Sequence, residues 1–273
     1  MSSAEFQDVF VPAASGQLFV RRWTPAASAA SAGSGAPIVL MHDSLGCVEL
    51  WRDFPERLAG ATGREVIAYD RLGFGRSDPY KGTLGVDFVV REAIEGFRAV
   101  REALELDQFA AFGHSVGGGM AIASAAAYPQ SCRALITESA QVYAEERTLE
   151  GIRQARESFA QPGQLDRLKK YHGDKAAWVL SAWIDTWLSP DFADWTLDPQ
   201  LAQVKCPALA LHGDNDEYGS TVHAERIAQL ASALPVIFEN CGHVPHREMP
   251  EQVLATVSGW LTRAAWTARC VAA

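Results

Sequence analysis

A serine hydroxyl attacks a carbonyl only when a base takes its proton and an acid holds that base in one tautomer. The chain holds a single G-x-S-x-G pattern, Gly113-His114-Ser115-Val116-Gly117. Phe109–Phe112 before it reads as a strand, and Gly118–Ile122 after it reads as a helix start. That is the strand–turn–helix in which a nucleophilic serine sits on a strained turn. Side chains two residues either side of such a serine would collide, which accounts for both glycines. The helix N-terminus beneath Ser115 would also favour developing negative charge.

Of the seven histidines, His243 is the expected base. It lies in Asn240–Pro245, after the last expected strand and before the last helix, where it can project beside the elbow. His246 is the nearest rival. For the acid, Leu211–Glu217 offers Asp214, Asp216 and Glu217. Asp216 stands three residues past the strand-ending Gly213, far enough along the loop to turn back toward His243. Asp214, and Glu138 at the end of an earlier strand, are the alternatives.

These residues need a scaffold that brings strand ends together. Asp8–Val11 and Leu18–Trp23 read as a short hairpin, followed by an Ala/Ser/Gly-rich loop at Pro25–Ala36. Ile38–Met41 is a continuous apolar run, as in a strand buried on both faces. Then follow a helix at Leu50–Ala61, a strand at Glu65–Tyr69, a Gly-rich loop to Ser77 and one helix over Val86–Leu104. Strand Phe109–Gly113, helix Gly117–Tyr128 and strand Ala134–Thr137 continue the alternation. After residues 139–200, of helical pattern, Ala208–Leu211 restores it. Helix Val222–Leu230, strand Val236–Phe238 and helix Pro250–Ala268 close the chain. Such alternation predicts an α/β fold with a mostly parallel sheet covered on both sides. Residues 1–138 and 201–273 form its expected core domain, and 139–200 an inserted helical cap.

Composition narrows the partners. The 273 residues carry 24 Lys plus Arg against 33 Asp plus Glu, a net charge of −9. With no basic run to offset it, that field repels phosphate backbones, so nucleic acid is not expected. No signal-like segment opens the chain and no apolar run has membrane-spanning length, which predicts a cytoplasmic protein with no membrane partner. The five cysteines lack metal-ligand spacing and are expected as free thiols.

In order and spacing, four motifs resemble the α/β-hydrolase superfamily, the capped serine hydrolases in particular. They are His42-Asp43-Ser44-Leu45-Gly46, Asp70-Arg71-Leu72-Gly73-Phe74-Gly75-Arg76-Ser77, the elbow, and Gly242-His243-x-Pro245. Ser…Asp…His is also that fold's chain order. The resemblance implies carboxylesterase, lactonase or carbon–carbon bond hydrolase activity, with no cofactor and no metal. It assigns oxyanion-hole amides to Ser44 and Val116. Asp43 stands where the family usually has glycine; aspartate tolerates positive φ, and its carboxylate is expected to turn away from the hole.

Four of eight tryptophans fall in the cap: Trp178, Trp183, Trp187 and Trp195. Trp183 and Trp187 share a stripe of an expected helix Ala176–Leu188 and, with Leu45 and His114, are the expected substrate contacts. The implied substrate is a small molecule, an uncharged ester with a small-to-medium acyl group, handled by a monomer or homodimer. A carbon–carbon bond or enol-lactone hydrolase would use the same triad. A hydrolase-fold ligand receptor is the reading from another class.

Overall fold

The computed structural model describes residues 5–25 and 35–271, with side chains as far as residue 263. Residues 26–34 of the Ala/Ser/Gly-rich loop lie outside the described residues. Strand β1 (Glu5–Ala13) turns through Ala14 and Ser15 into β2 (Gly16–Thr24), making a longer hairpin than the apolar pattern suggests. The runs Ile38–Met41 (β3) and Val66–Tyr69 (β4) bury every side chain. So do Phe109–His114 (β5) and Ala208–Gly213 (β7), while β6 (Cys132–Glu138) exposes only Arg133. Strands buried on both faces cannot alternate polar with apolar residues, hence the continuous runs. β8 (Leu234–Phe238) ends the sheet.

Eight strands stand in the order β1-β2-β4-β3-β5-β6-β7-β8. β1, β2 and β4 pair antiparallel, and every pair from β4 through β3 to β8 is parallel. Side chains alternate across the sheet, so two cores form. Ile38, Leu40, Ala110, Phe112, Ile136 and Leu209 pack under α1 (Phe54–Thr62) and the C-terminal helix. Val39, Met41, Ala111, Leu135 and Ala210 pack on the other face.

Two helices differ from expectation. The segment expected as Leu50–Ala61 is a 3-10 turn at Val48–Trp51 followed by α1, which starts beside Pro55; proline has no N–H to give and suits a first helical turn. The helix expected over Val86–Leu104 is two, α2 (Phe88–Ile94) and α3 (Gly96–Ala103), broken at Glu95 (φ −119°, ψ −84°). Beside the break, the Glu92 carboxyl occupies the space a Cβ on Gly96 would need.

Helix α4 (Val116–Ala127) follows β5 and is buried along almost its whole length. Between β6 and β7 run α5 (Glu146–Phe159), α6 (Gln164–His172), α7 (Ala176–Trp187) and the short α8 (Asp198–Leu201). Helix α9 (Val222–Ala231) precedes β8; α10 (Pro245–Glu248) and α11 (Pro250–Val271) complete the chain. Among the described residues no helix is long and apolar enough to cross a membrane.

Candidate active site

Ser115 stands between β5 and α4 with φ +56° and ψ −127°, a conformation that costs a non-glycine residue energy and needs surroundings that impose it. They do so at both glycines. A Cβ on Gly113 would strike the Gly117 carbonyl, and one on Gly117 the Met41 carbonyl of β3. The Ser115 N–H donates to the Glu138 carbonyl of β6 at 2.8 Å, fixing the turn to the neighbouring strand. The Ser115 hydroxyl is 3.2 Å from Gln141 Oε1 and donates to it. Gln141, fully enclosed three residues past β6, went unnoticed in the sequence, since nothing in its local pattern marks it.

Asp216 and His243 meet at the carboxyl ends of β7 and β8. His243 Nδ1 lies 2.8 Å from both carboxylate oxygens, so Nδ1 carries the proton and Nε2 is left as the basic nitrogen. Asp216 also accepts from the backbone N–H of Tyr218 (2.7 Å) and Gly219 (3.1 Å) and from His212 Nε2 (3.2 Å). Burial would raise its pKa, but the bonds from His212 and His243 outweigh that and hold it far below the usual carboxylate range. Burial likewise lowers the pKa of His243, and the bond and charge of Asp216 reverse this to a net rise.

The other two acid candidates are occupied elsewhere. Asp214 accepts from the Cys241 N–H at 3.3 Å. Glu138 pairs with His246, Oε2 to Nδ1, at 2.5 Å. Its pKa is raised by burial and lowered more strongly by His246. His114 lies against His246 and is expected from the sequence to touch substrate. Its Nε2 instead donates to the His243 carbonyl at 2.8 Å, and the ring is enclosed by Trp51, His243 and His246. Burial, then the neighbouring His246 and His243, push its pKa down to about 4, so it is a neutral strut under the His243 loop. The donors of His114, Glu138 and His246 lie within 4.8 Å of one another, as a metal would require. Bonds to the His243 carbonyl and within the Glu138–His246 pair engage one donor atom of each residue, while Glu138 Oε1 is buried without a partner.

The loop after β3 is held from below. The Arg71 N–H donates to His42 Nε2 (3.2 Å), which leaves His42 Nδ1–H to donate to the Asp43 carbonyl (2.8 Å). Arg71 Nη2 reaches the same carbonyl at 2.9 Å. Asp43 takes no positive φ. Its carboxylate folds over Gly46, where a Cβ would displace it. Among the described residues the Ser44 amide has no hydrogen-bond partner, and the Val116 amide heads α4, where no earlier turn supplies a carbonyl. Asp70 is a buried brace, accepting from the Val48 and Arg76 amides at 2.6 and 2.7 Å.

Aromatic residues pack beside His243. Tyr218 stands 5.0 Å from the His243 ring, and half-buried Trp183 of α7 packs on Tyr218 at 6.0 Å, edge to face. Trp187, expected with Trp183 as a substrate contact, is enclosed against Phe192 and Trp195. One helical turn separates the two, and the packing of α7 onto Phe192 turns Trp187 inward. Leu45 remains half-buried; its carbonyl accepts from His172 Nε2 at 3.0 Å. A cavity of about 870 Å³ lies elsewhere, between the β1–β2 turn, loop 71–85 and helices α2 and α3. Neither Ser115 nor His243 lines it, while Arg71 and Phe74 do.

The chain belongs to the α/β hydrolase fold family, whose model matches residues 36–183, and it is a hydrolase. It is 26% identical over 267 residues to proline iminopeptidase of Lactobacillus helveticus, covering 82% of this chain and 89% of that protein. It is 25% identical over 253 residues to 2-hydroxy-6-oxo-2,4-heptadienoate hydrolase of Pseudomonas putida, covering 84% and 90%. In fold it is similar to the enol-lactonase from Burkholderia xenovorans, with TM-score 0.69, 19% identity and coverage of 93% and 100%.

Proposed function

We propose that the protein is a serine esterase that cleaves an uncharged ester of small-to-medium acyl group through an acyl-enzyme on Ser115. The observation that carries this reading is the Asp216–His243 pair, both carboxylate oxygens 2.8 Å from Nδ1, with the His243 carbonyl bonded by His114, the residue before a serine held at φ +56°. His243 Nε2 takes the Ser115 proton once the hydroxyl leaves Gln141; such bonds often tighten only with substrate bound. The alkoxide attacks the carbonyl, and the free amides of Ser44 and Val116 receive the oxyanion. His243 then protonates the leaving alcohol and activates water to release the acid, with Asp216 stabilising its cation and keeping its own charge. Helices in 139–200 act as the cap, with Trp183, Tyr218 and Leu45 offering apolar surface to the acyl group.

Turnover of a p-nitrophenyl ester series from acetate to dodecanoate tests the reading. Wild type should turn over repeatedly with one chain-length optimum, and Ser115→Ala should lose at least about 10³-fold in kcat. Activity surviving that change would remove Ser115 from the mechanism. Similarity to the heptadienoate hydrolase and the enol-lactonase supports a second reading, cleavage of a vinylogous diketone or a lactone by the same residues. A folded enzyme that turns over those substrates and leaves every ester intact would establish it in place of the first.

A further inference from the structure

Cys132 opens β6 and Cys206 stands two residues ahead of β7. These strands are parallel neighbours, with Leu135 opposite Ala208, so the sheet draws together two cysteines 74 residues apart. Their sulfurs lie 3.6 Å from each other, joined by a hydrogen bond. Cys132 is buried and Cys206 only partly so, which makes Cys206 the more accessible residue of the pair. A bonded pair needs about 2.05 Å, so closure draws the two sulfurs together by about 1.5 Å.

We propose that Cys132 and Cys206 form a dithiol site which hydrogen peroxide, or a hydroperoxide of the same class, closes to an intramolecular disulfide. Cys206 reacts first. In the reduced fold its S–H donates to Cys132 Sγ, while the Cys132 S–H donates to the Ala134 carbonyl at 3.3 Å. Once Cys206 has lost its proton, Cys132 turns its S–H to it, which lowers the Cys206 pKa against the opposing effect of burial. The same bond and burial push Cys132 well up, so it keeps its proton. The Cys206 thiolate attacks one peroxide oxygen, the O–O bond breaks, and the departing hydroxide takes a proton to become water. Cys206 is then a sulfenic acid. The Cys132 sulfur attacks the Cys206 sulfur, the S–O bond breaks, and hydroxide leaves with the Cys132 proton as a second water. Two thiols are oxidised by two electrons and one peroxide is reduced to two waters. By contrast, burial pushes the thiols of Cys47 and Cys241 up to about 12, which leaves them poor competitors.

The cross-link would staple the amino-terminal edge of the sheet and enclose β6 with helices α5–α8 in one covalent loop. The Asp216–His243 pair stands at the opposite, carboxyl edge, so turnover should change less than twofold. Shortening the unfolded chain's freedom should raise Tm by roughly 5–10 °C, reversibly with dithiothreitol.

The experiment treats fully reduced protein with one equivalent of hydrogen peroxide, alkylates remaining thiols under denaturing conditions, and maps peptides by mass spectrometry. The expected result is a Cys132–Cys206 linked peptide pair lighter by two hydrogens, and a thiol titre lower by two from five. In Cys132→Ser, Cys206 should stop at sulfenic acid and be captured by dimedone. Phenylarsine oxide, which bridges adjacent thiols, should bind the reduced wild-type protein one to one and block alkylation of both residues, a readout that needs no variant. Cys206 carried to sulfinic acid while Cys132 is still alkylated, or a disulfide pairing either residue with another cysteine or another molecule, would overturn the proposal. So would failure of the arsenical to protect both.

Discussion

At the scale of single residues, Asp216 and His243 set each other's protonation. Asp216 takes hydrogen bonds from His243, His212 and two backbone amides, which favour its charged form and hold its pKa far below the usual carboxylate range. That charge lifts His243 above the usual imidazole value although burial alone would lower it. A general base works only when neutral, so the acid limb of kcat/KM should lie above about pH 6.5. Asp216→Asn should slide that limb to lower pH, because the stabilising charge is gone. It should also cut kcat by on the order of 10⁴-fold, because the wrong nitrogen is protonated. A limb that stays in place would show that some other group governs it.

At the scale of elements, loops on the sheet's carboxyl edge are tied together by residues from the helices between β6 and β7. His172, at the end of α6, accepts from the Gly75 N–H at 2.9 Å and donates to the Leu45 carbonyl at 3.0 Å. Lys175 reaches the carbonyls of Phe74, Gly75 and Ser77. On the other side, Arg147 of α5 bonds the Asp216 carbonyl at 3.0 Å and Glu145 bonds Ser220 and His223. The helices therefore hold both the oxyanion-side loop and the acid loop. His172→Ala would strand a buried N–H and a carbonyl, each worth about 1–3 kcal/mol when unpaired. Because Leu45 adjoins the proposed oxyanion donor, kcat/KM should fall about tenfold, with kcat changing more than KM. A variant that loses stability with unchanged kcat would confine His172 to a structural part.

For the whole molecule, titration should give stability a rise and then a fall as pH drops. Glu92 is half-buried in the wall of the large cavity, its carboxyl accepting from Tyr69 at 2.8 Å. Burial raises its pKa to about 7, against the pull of Arg71. A raised folded-state value means stability present below the unfolded value of about 4.3 and lost as pH climbs through the folded one. Stability should thus increase from pH 7 toward pH 5. Glu138, Glu145 and Asp216 behave oppositely, their pKa values depressed in the fold, Glu145 to about 2. Their contribution holds above pH 4 and is lost as pH falls toward 2. Urea midpoints measured across pH 3–8 should show this maximum, and Glu92→Gln should flatten the slope between pH 5 and 7 while leaving the acid limb. An unchanged slope in that variant would remove Glu92 as its source.

The sequence by itself determined the alternating α/β order, the strand–turn–helix around Ser115, and the family through four short motifs. Those features are local: buried strands advertise themselves as apolar runs, and a turn that admits no Cβ at two places must carry glycine there. Only the tertiary structure decided what crosses from one segment to another. It set Asp216 on His243 and Glu138 on His246, where sequence left three acids open. It turned Trp187 inward, made His114 a strut under the His243 loop, and brought Gln141 to the Ser115 hydroxyl. It also broke the Val86–Leu104 segment at Glu95, and it set Cys132 against Cys206. Periodicity tells which face of an element is buried, but a partner 26 to 129 residues away is chosen by strand order and loop closure, which no local pattern encodes.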